Sequence, residues 1–295
     1  MKIDGVFSGG GVKAFAFIGA IQAVEKEKYE FENVAGTSAG AIVAGLLAAG
    51  YSGKEMEALL QETDISKFTD PIKLTRYIPF ANWLTLYFKM GLYKGNALER
   101  WLYEALAKKQ VYTFQDLKPR TLKVIAADVT LGRLIVFPDD LAETYGIDGG
   151  SFPVARAIRM SAGIPYIFMP AKLLYSNRKR SLLLDGGLLS NFPIWTLDGD
   201  ERLLRRPILG MKLSEAVQKI PVQKVHQSFD LFYALFKTMK VAHDMRHINQ
   251  ETARDIIFIP VEDIGMADFN ISAIEKEKLI TGGREKAEHF LKRWP

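Results

Sequence analysis

The N-terminal third repeats one hydrophobic pattern. Ile3, Val6 and Phe7 make a short apolar strand that runs into Ser8-Gly9-Gly10-Gly11. A helical spacing follows through Phe15, Ile18, Ile21 and Val24 and ends in Glu25-Lys26-Glu27-Lys28. Phe31 to Ala35 form a second strand, closed by Gly36-Thr37-Ser38-Ala39-Gly40, and a small-residue helix then extends to Gly50. Strand, glycine turn and helix, repeated, predict a parallel sheet covered by helices. The expected fold class is α/β, three layers with a mostly parallel central sheet.

Further strands are expected at Leu122–Ala127, Leu134–Phe137, Leu182–Leu184, Ile208–Met211 and Ile256–Ile259. Helices are expected at 54–62, 96–108, 153–161, 222–247 and 273–292. The connections 63–95 and 138–152 are long and have no obvious place in the sheet. That makes them candidate lids or substrate-facing insertions. The helix 222–247 aligns Val225, Phe229, Phe232, Phe236 and Met239 on one face, which would pack on the sheet or wall a pocket. Arg178-Lys179-Arg180 reads as a hairpin tip. No internal repeat or low-complexity linker divides the 295 residues, so a single domain over 1–295 is expected.

Composition then removes whole classes of chemistry. There is no cysteine, which excludes disulfides, thiolate-held metals and a cysteine nucleophile. The 39 basic against 34 acidic residues leave an excess too small to point to nucleic acid. The start, Met-Lys-Ile-Asp-Gly, lacks the apolar core of a signal peptide, and no apolar run reaches the ~20 residues of a spanning helix. A cytoplasmic protein is expected.

Gly36-Thr37-Ser38-Ala39-Gly40 is a G-x-S-x-G motif between a strand and a helix. That is the setting in which a serine is held strained with its hydroxyl exposed. Ser38 would sit at a helix N-terminus, where free N–H groups favour negative charge. The plainer reading of an isolated match is a glycine turn with an N-capping serine. The run Gly9-Gly10-Gly11-Val12-Lys13 ends the first strand, and three glycines in a row imply a backbone that must approach something closely. The candidate oxyanion donors are the N–H groups of Gly9, Gly10, Gly11 and Ala39. Lys13 would anchor the loop or bias the site positive. A nucleotide loop fits poorly: G-x-x-x-x-G-K-[ST] is absent, and alanine at position 14 breaks G-x-G-x-x-G.

An activated serine needs a proton acceptor. The four histidines, His226, His243, His247 and His289, all lie in the last third and in helical stretches. Two Asp-Gly-Gly tripeptides remain. Asp185-Gly186-Gly187 follows the apolar run Leu182-Leu183-Leu184 and so lies at a strand end, where open α/β sheets place their sites. Asp148-Gly149-Gly150 reads as a turn capping the helix that follows. Asp185 is therefore the candidate base and Asp148 a structural residue.

These pieces together resemble the patatin-like phospholipase family. The glycine loop, the serine elbow and Asp185-Gly186-Gly187 match in order over about residues 3–213. So do the stretch 155–165, Ala-Arg-Ala-Ile-Arg-Met-Ser-Ala-Gly-Ile-Pro before Phe168 and Pro170, and Asn191-Phe192-Pro193 after the aspartate. Ser8, where an acid is common, and Ala14, where glycine is common, depart from the pattern. The region 214–295 matches no motif and stands as a C-terminal extension. The resemblance implies a patatin-like fold and a serine–aspartate dyad of Ser38 and Asp185. It implies an oxyanion held by Gly10, Gly11 and Ala39, with Lys13, Gly36, Gly40, Gly186 and Gly187 in support. It also implies hydrolysis of acyl esters in phospholipids or lysophospholipids, with no metal and no cofactor.

Two enzyme readings and one other stay open: lipid acyl hydrolysis, hydrolysis of small soluble esters, and a non-catalytic lipid- or membrane-binding protein on the same fold. His243 and His247, spaced i, i+4, mimic a zincin helix but lack a third ligand. Residues 71–98 hold Lys73, Arg76, Lys89 and Lys94 and no acid, with Phe80, Trp83, Leu84, Tyr87 and Phe88 on one helical face. That stripe reads either as a core helix with solvated lysines or as a contact with an anionic membrane. The second reading makes 71–94 a peripheral membrane contact at the inner membrane face.

Overall fold

The computed structural model describes residues 1–71, 81–176, 179–197, 206–214, 225–227, 231, 234–236, 238–239, 252–261, 265 and 268–294. Outside them lie Lys73, Arg76, Tyr77, Phe80, Arg178, Phe229, Phe232, His243, His247 and most of 222–247, together with the side chains of Trp83 and Leu84.

Among the described residues, eight strands form the main sheet, in the order β10-β9-β1-β2-β4-β8-β7, with β5 also on β4. They are β1 (Lys2–Phe7), β2 (Glu30–Thr37), β4 (Thr121–Asp128), β5 (Arg133–Phe137), β7 (Ala171–Tyr175), β8 (Lys179–Asp185), β9 (Ile208–Leu213) and β10 (Ile256–Ile259). The pairs from β10 to β4 are parallel. The short strands β3 (Gly91–Tyr93) and β6 (Tyr166–Phe168) form a separate parallel pair. The helices are α1 (Phe15–Lys26), α2 (Ala39–Ala48), α3 (Gly53–Gln61), α4 (Ala81–Lys89), α5 (Asn96–Ala107), α6 (Leu141–Tyr145), α7 (Val154–Ser161) and α8 (Ala273–Leu291).

The central strands read as near-continuous apolar runs because both faces are covered, as parallel sheets require. Ile3, Phe7, Val34, Val124 and Ala126 share one core with α1, α2 and α7. On the other face Val6, Ala35 and Ile256 pack with Phe192 and Ile194. The helix α2, apolar all round, is buried on almost every residue, as such helices must be. The helices α3 and α8 both begin on capping boxes, Ser52 with Glu55 and Ser272 with Glu275, each satisfying two otherwise orphaned N–H groups.

Some expectations need correction. The connection 138–152 is not a lid: it holds α6, and Leu141, Tyr145 and Phe152 are buried in the core. In 63–71 a 3-10 turn, Ile65–Phe68, buries both its apolar ends. Of the basic run, Lys179 and Arg180 open β8, with Lys179 opposite Tyr175, and Arg178 lies outside the described residues. Beyond residue 213, β10 pairs with β9 and α8 lies along α1, so the stretch without a motif completes the sheet.

One detail of register positions the site. Val124 and Ile125 of β4 pair with β5 on one edge and β2 on the other. Ala126 to Asp128 pair with β5 on the first edge and with antiparallel β8 on the second. Thus β8 takes over the edge of β4 where β2 ends. Ile125 faces Thr37, and the next residue, Ala126, faces Asp185. The C-terminal ends of β2 and β8 therefore meet head to head.

Candidate active site

Ser38 follows β2 directly and caps α2. Its backbone sits at φ 56°, ψ −127°, a conformation that L-residues avoid and that persists only where surrounding structure enforces it. The enforcing contacts are close backbone approaches. A β carbon on Gly40 would lie 2.4 Å from the Phe7 carbonyl oxygen and 2.5 Å from that of Ser8. Only glycine there lets the elbow press against the end of β1.

The Ser38 hydroxyl donates to Asp185 Oδ2 at 2.5 Å. Both residues are buried, Ser38 at 2% exposure and Asp185 at 0%. The other carboxylate oxygen, Oδ1, accepts from the Gly187 N–H at 2.8 Å, which fixes the rotamer of the carboxyl group. Two neighbours hold the backbones of this pair. The Ser38 N–H donates to Ser161 Oγ at 2.8 Å, and the Asp185 N–H to the Gly163 carbonyl at 2.9 Å. Asp148 stands apart on an exposed turn before α7. Its carboxylate accepts from the Gly150 and Ser151 N–H groups. The Ser151 hydroxyl and these N–H groups hold its pKa below the ordinary aspartate value, as in a turn-capping residue.

The glycine loop divides in two. The Gly9 N–H is taken: it donates to the Asn191 carbonyl at 3.0 Å, so Gly9 anchors the loop rather than supplying a free donor. Gly10 precedes a 3-10 turn, Gly11–Ala14, in which Gly11 has φ 60°. Ala39 opens α2. Groups at such first turns have no intrahelical acceptor, and among the described residues the N–H groups of Gly10, Gly11 and Ala39 have none. Gly11, Ala39 and Ser38 border one cleft. Lys13 Nζ donates to the Val261 carbonyl at 3.1 Å, tying the loop to the chain after β10. Ser8, where an acid was expected from the resemblance, is fully buried, and its Oγ accepts from the Leu213 N–H at 3.1 Å. It joins β1 to β9.

The rest of the cleft is apolar, with Val43, Leu60, Phe68, Leu98, Trp101 and Phe269 among its walls. The wall that carries Phe168 is fixed by Arg159, only 3% exposed. Its guanidinium donates to the carbonyls of Gly95, Lys94 and Met169 at 2.9, 2.8 and 3.0 Å and lies 5.2 Å from the Phe168 ring centre. Burial pushes its pKa down to about 10, against the nearby carboxylates of Glu99 and Asp70, so it remains a cation at neutral pH. Sequence reasoning gave no role to Ser161 or Arg159, although both stand in the stretch 155–165. The available signals were the serine and the two arginines set among the apolar residues of Val154–Ser161. His226 and His289 are exposed, away from this cleft's walls.

The geometry can be set beside known proteins. The family model for patatin-like phospholipases matches residues 5–198. The chain belongs to the patatin-like phospholipase family. The match takes in the glycine loop, the elbow, Asp185 and Asn191, and stops before β9. An uncharacterized protein of Bacillus subtilis, YqhO, is 44% identical over 294 residues, covering 100% of this chain and 99% of that one. The cUMP-AMP-activated phospholipase of Escherichia coli is 22% identical over 280 residues, covering 88% and 79%. Among solved structures, VipD of Legionella pneumophila superposes with a TM-score of 0.58 at 17% identity, over 98% of this chain and 66% of that one. The effector ExoU of Pseudomonas aeruginosa gives 0.52 at 17% identity, over 99% and 53%. The chain thus spans about two thirds of VipD and half of ExoU, and these likenesses show the mixed α/β patatin fold. Family membership supports lipid hydrolase activity. Among the described residues, no helix is long and apolar enough to cross a membrane.

Proposed function

We propose that this chain is a serine acyl hydrolase that cleaves fatty-acyl esters of phospholipids or lysophospholipids through Ser38 and Asp185. The observation that carries the reading is the 2.5 Å hydrogen bond from Ser38 to a fully buried aspartate, beside an apolar cleft. Asp185 takes the Ser38 proton as Oγ attacks the ester carbonyl. Burial makes a carboxylate more basic than it is in water. The oxyanion develops against the N–H groups of Gly10, Gly11 and Ala39. The tetrahedral intermediate collapses, and the leaving alcohol takes the proton from Asp185. Water, deprotonated by the same carboxylate, then attacks the acyl-enzyme and releases the fatty acid, regenerating Ser38. The apolar walls receive the acyl chain.

A fluorophosphonate probe tests the chemistry. Wild type is expected to label at one site and Ser38→Ala not at all. An unlabelled wild type would leave a lipid-binding protein on the same fold. A series of p-nitrophenyl esters tests the substrate class: rates should rise with chain length and with presentation in micelles. Preference for the shortest acyl groups would assign a carboxylesterase of small soluble esters instead.

The same reading includes peripheral contact with an anionic lipid surface through 71–94, at the inner face of the membrane. Tyr87 and Phe88 are 81% and 68% exposed at the end of α4, and their rings stand edge to face at 5.0 Å. Met90 and Tyr166, at the two starts of the β3–β6 pair, are also exposed, and both have positive φ. Exposed aromatic side chains beside lysines and without acids suit an anionic interface. Replacing Tyr87 and Phe88 together by serine is expected to weaken sedimentation with phosphatidylglycerol vesicles about tenfold or more. Hydrolysis of a short soluble ester should stay unchanged. Equal losses in both assays would assign the two rings to folding.

A further inference from the structure

We infer that Ser161 is a positioning residue for the nucleophile: its hydroxyl holds the Ser38 elbow in register with Asp185. The inference rests on the reading of Ser38 as nucleophile and adds a residue to it. Three observations converge on the short stretch Arg159–Gly163. The fully buried Ser161 Oγ accepts the Ser38 N–H at 2.8 Å. Two residues on, the Gly163 carbonyl accepts the Asp185 N–H at 2.9 Å. Two residues back, Arg159 ties the same stretch to the carbonyls of Lys94, Gly95 and Met169. One anchored segment therefore holds the backbones of both members of the pair, whose side chains meet at 2.5 Å.

The physical need is local. With φ at 56°, Ser38 would relax if its surroundings allowed it. Its own N–H is spent on Ser161, which leaves the Ala39 N–H as the elbow's donor toward an oxyanion. A serine ending a helix ordinarily bonds back to its own turn or to water. Here its Oγ accepts from a residue 123 positions away. Without the hydroxyl, a buried N–H loses its acceptor and the elbow loses its reference to Asp185.

The test uses Ser161→Ala and Ser161→Cys in the full chain, with rates normalised to folded protein by thermal unfolding. Cysteine nearly keeps the volume but is a weak acceptor. Both variants are expected to lose about ten- to a hundredfold in kcat with KM within about twofold, since sub-ångström misplacement of reacting groups costs on this scale. Fluorophosphonate labelling should slow in parallel. Labelling of Ser161→Ala at the wild-type rate, or a fully active Ser161→Cys, would overturn the inference, the second by showing that volume alone matters. A loss confined to KM or to thermal stability would overturn it as well. Absence of labelling in wild type would instead overturn the assignment of Ser38, so the two failures are distinct.

Discussion

Replacing Asp185 by asparagine is expected to lower kcat by about three to four orders of magnitude while leaving the fold intact. The substitution keeps shape and planarity. It also keeps an oxygen for the Gly187 N–H, which Asp185 Oδ1 accepts at 2.8 Å. The other position changes sign: the Ser38 hydroxyl now donates to a carboxylate oxygen, and an amide nitrogen there accepts nothing. A general base contributes about 10²–10⁴ in rate, and no second acceptor for this proton is seen among the described residues. The effects should not add. Ser38→Ala, Asp185→Asn and the double variant are expected to share one floor, because residues that act as a unit lose their function together. Steady-state hydrolysis of a long-chain ester measures this. Thermal unfolding of Asp185→Asn should show a melting temperature unchanged or raised, since an amide is cheaper to bury than a carboxylate. Retention of more than a tenth of wild-type kcat would mean that Ser38 passes its proton elsewhere.

Ser38 and Asp185 stand out in the sequence as candidates because each carries its own local signature: a glycine-flanked serine after a strand, and an aspartate closing an apolar run. Their meeting was not legible from those signatures alone. It depends on β8 entering antiparallel on the edge of β4 just where β2 stops, a pairing across 147 positions. The difference between Gly9 and its two neighbours was hidden for a related reason. Three consecutive glycines look alike, and only a backbone bond to Asn191 removes the first from the donor set. The strands β3, β6 and β7 escaped detection because they are short and carry little alternation. In β7, only Leu173 is buried. The segment 138–152 looked like a loop because its helix has five residues, too few for a periodic signal. The aromatic stripe near 80–88 does form a helix at Ala81–Lys89, and its last two rings face solvent. That outcome sets Tyr87 and Phe88 outside the core.

The second large effect is expected at two adjacent glycines in α8, with opposite signs. Mid-helix glycines each cost about 1 kcal/mol relative to alanine, so Thr281-Gly282-Gly283-Arg284 is an unfavourable sequence for a helix unless packing demands it. Packing demands one of the two. A β carbon on Gly283 would lie 1.8 Å from the Ala16 carbonyl oxygen, and one on Gly19 of α1 would lie 1.8 Å from the Ile280 carbonyl oxygen. The two helices touch backbone to backbone, as small residues permit. Backbone atoms cannot swing aside, so Gly283→Ala should force α8 off α1 and destabilise by about 3 kcal/mol, lowering the melting temperature on the order of 10 °C. A β carbon on Gly282 meets nothing within 4 Å. There the propensity term stands alone, and Gly282→Ala should stabilise by about 0.5–1 kcal/mol. The contact also bears on catalysis. The helix α1 continues directly from the turn Gly11–Ala14, which opens on Gly11, one of the oxyanion donors in the proposed mechanism. Displacing α1 should therefore lower kcat of Gly283→Ala below the loss that its unfolded fraction explains, while Gly282→Ala keeps wild-type turnover. Paired differential scanning calorimetry and ester hydrolysis on the two variants check both signs, and equal melting temperatures would show that α8 does not clamp α1.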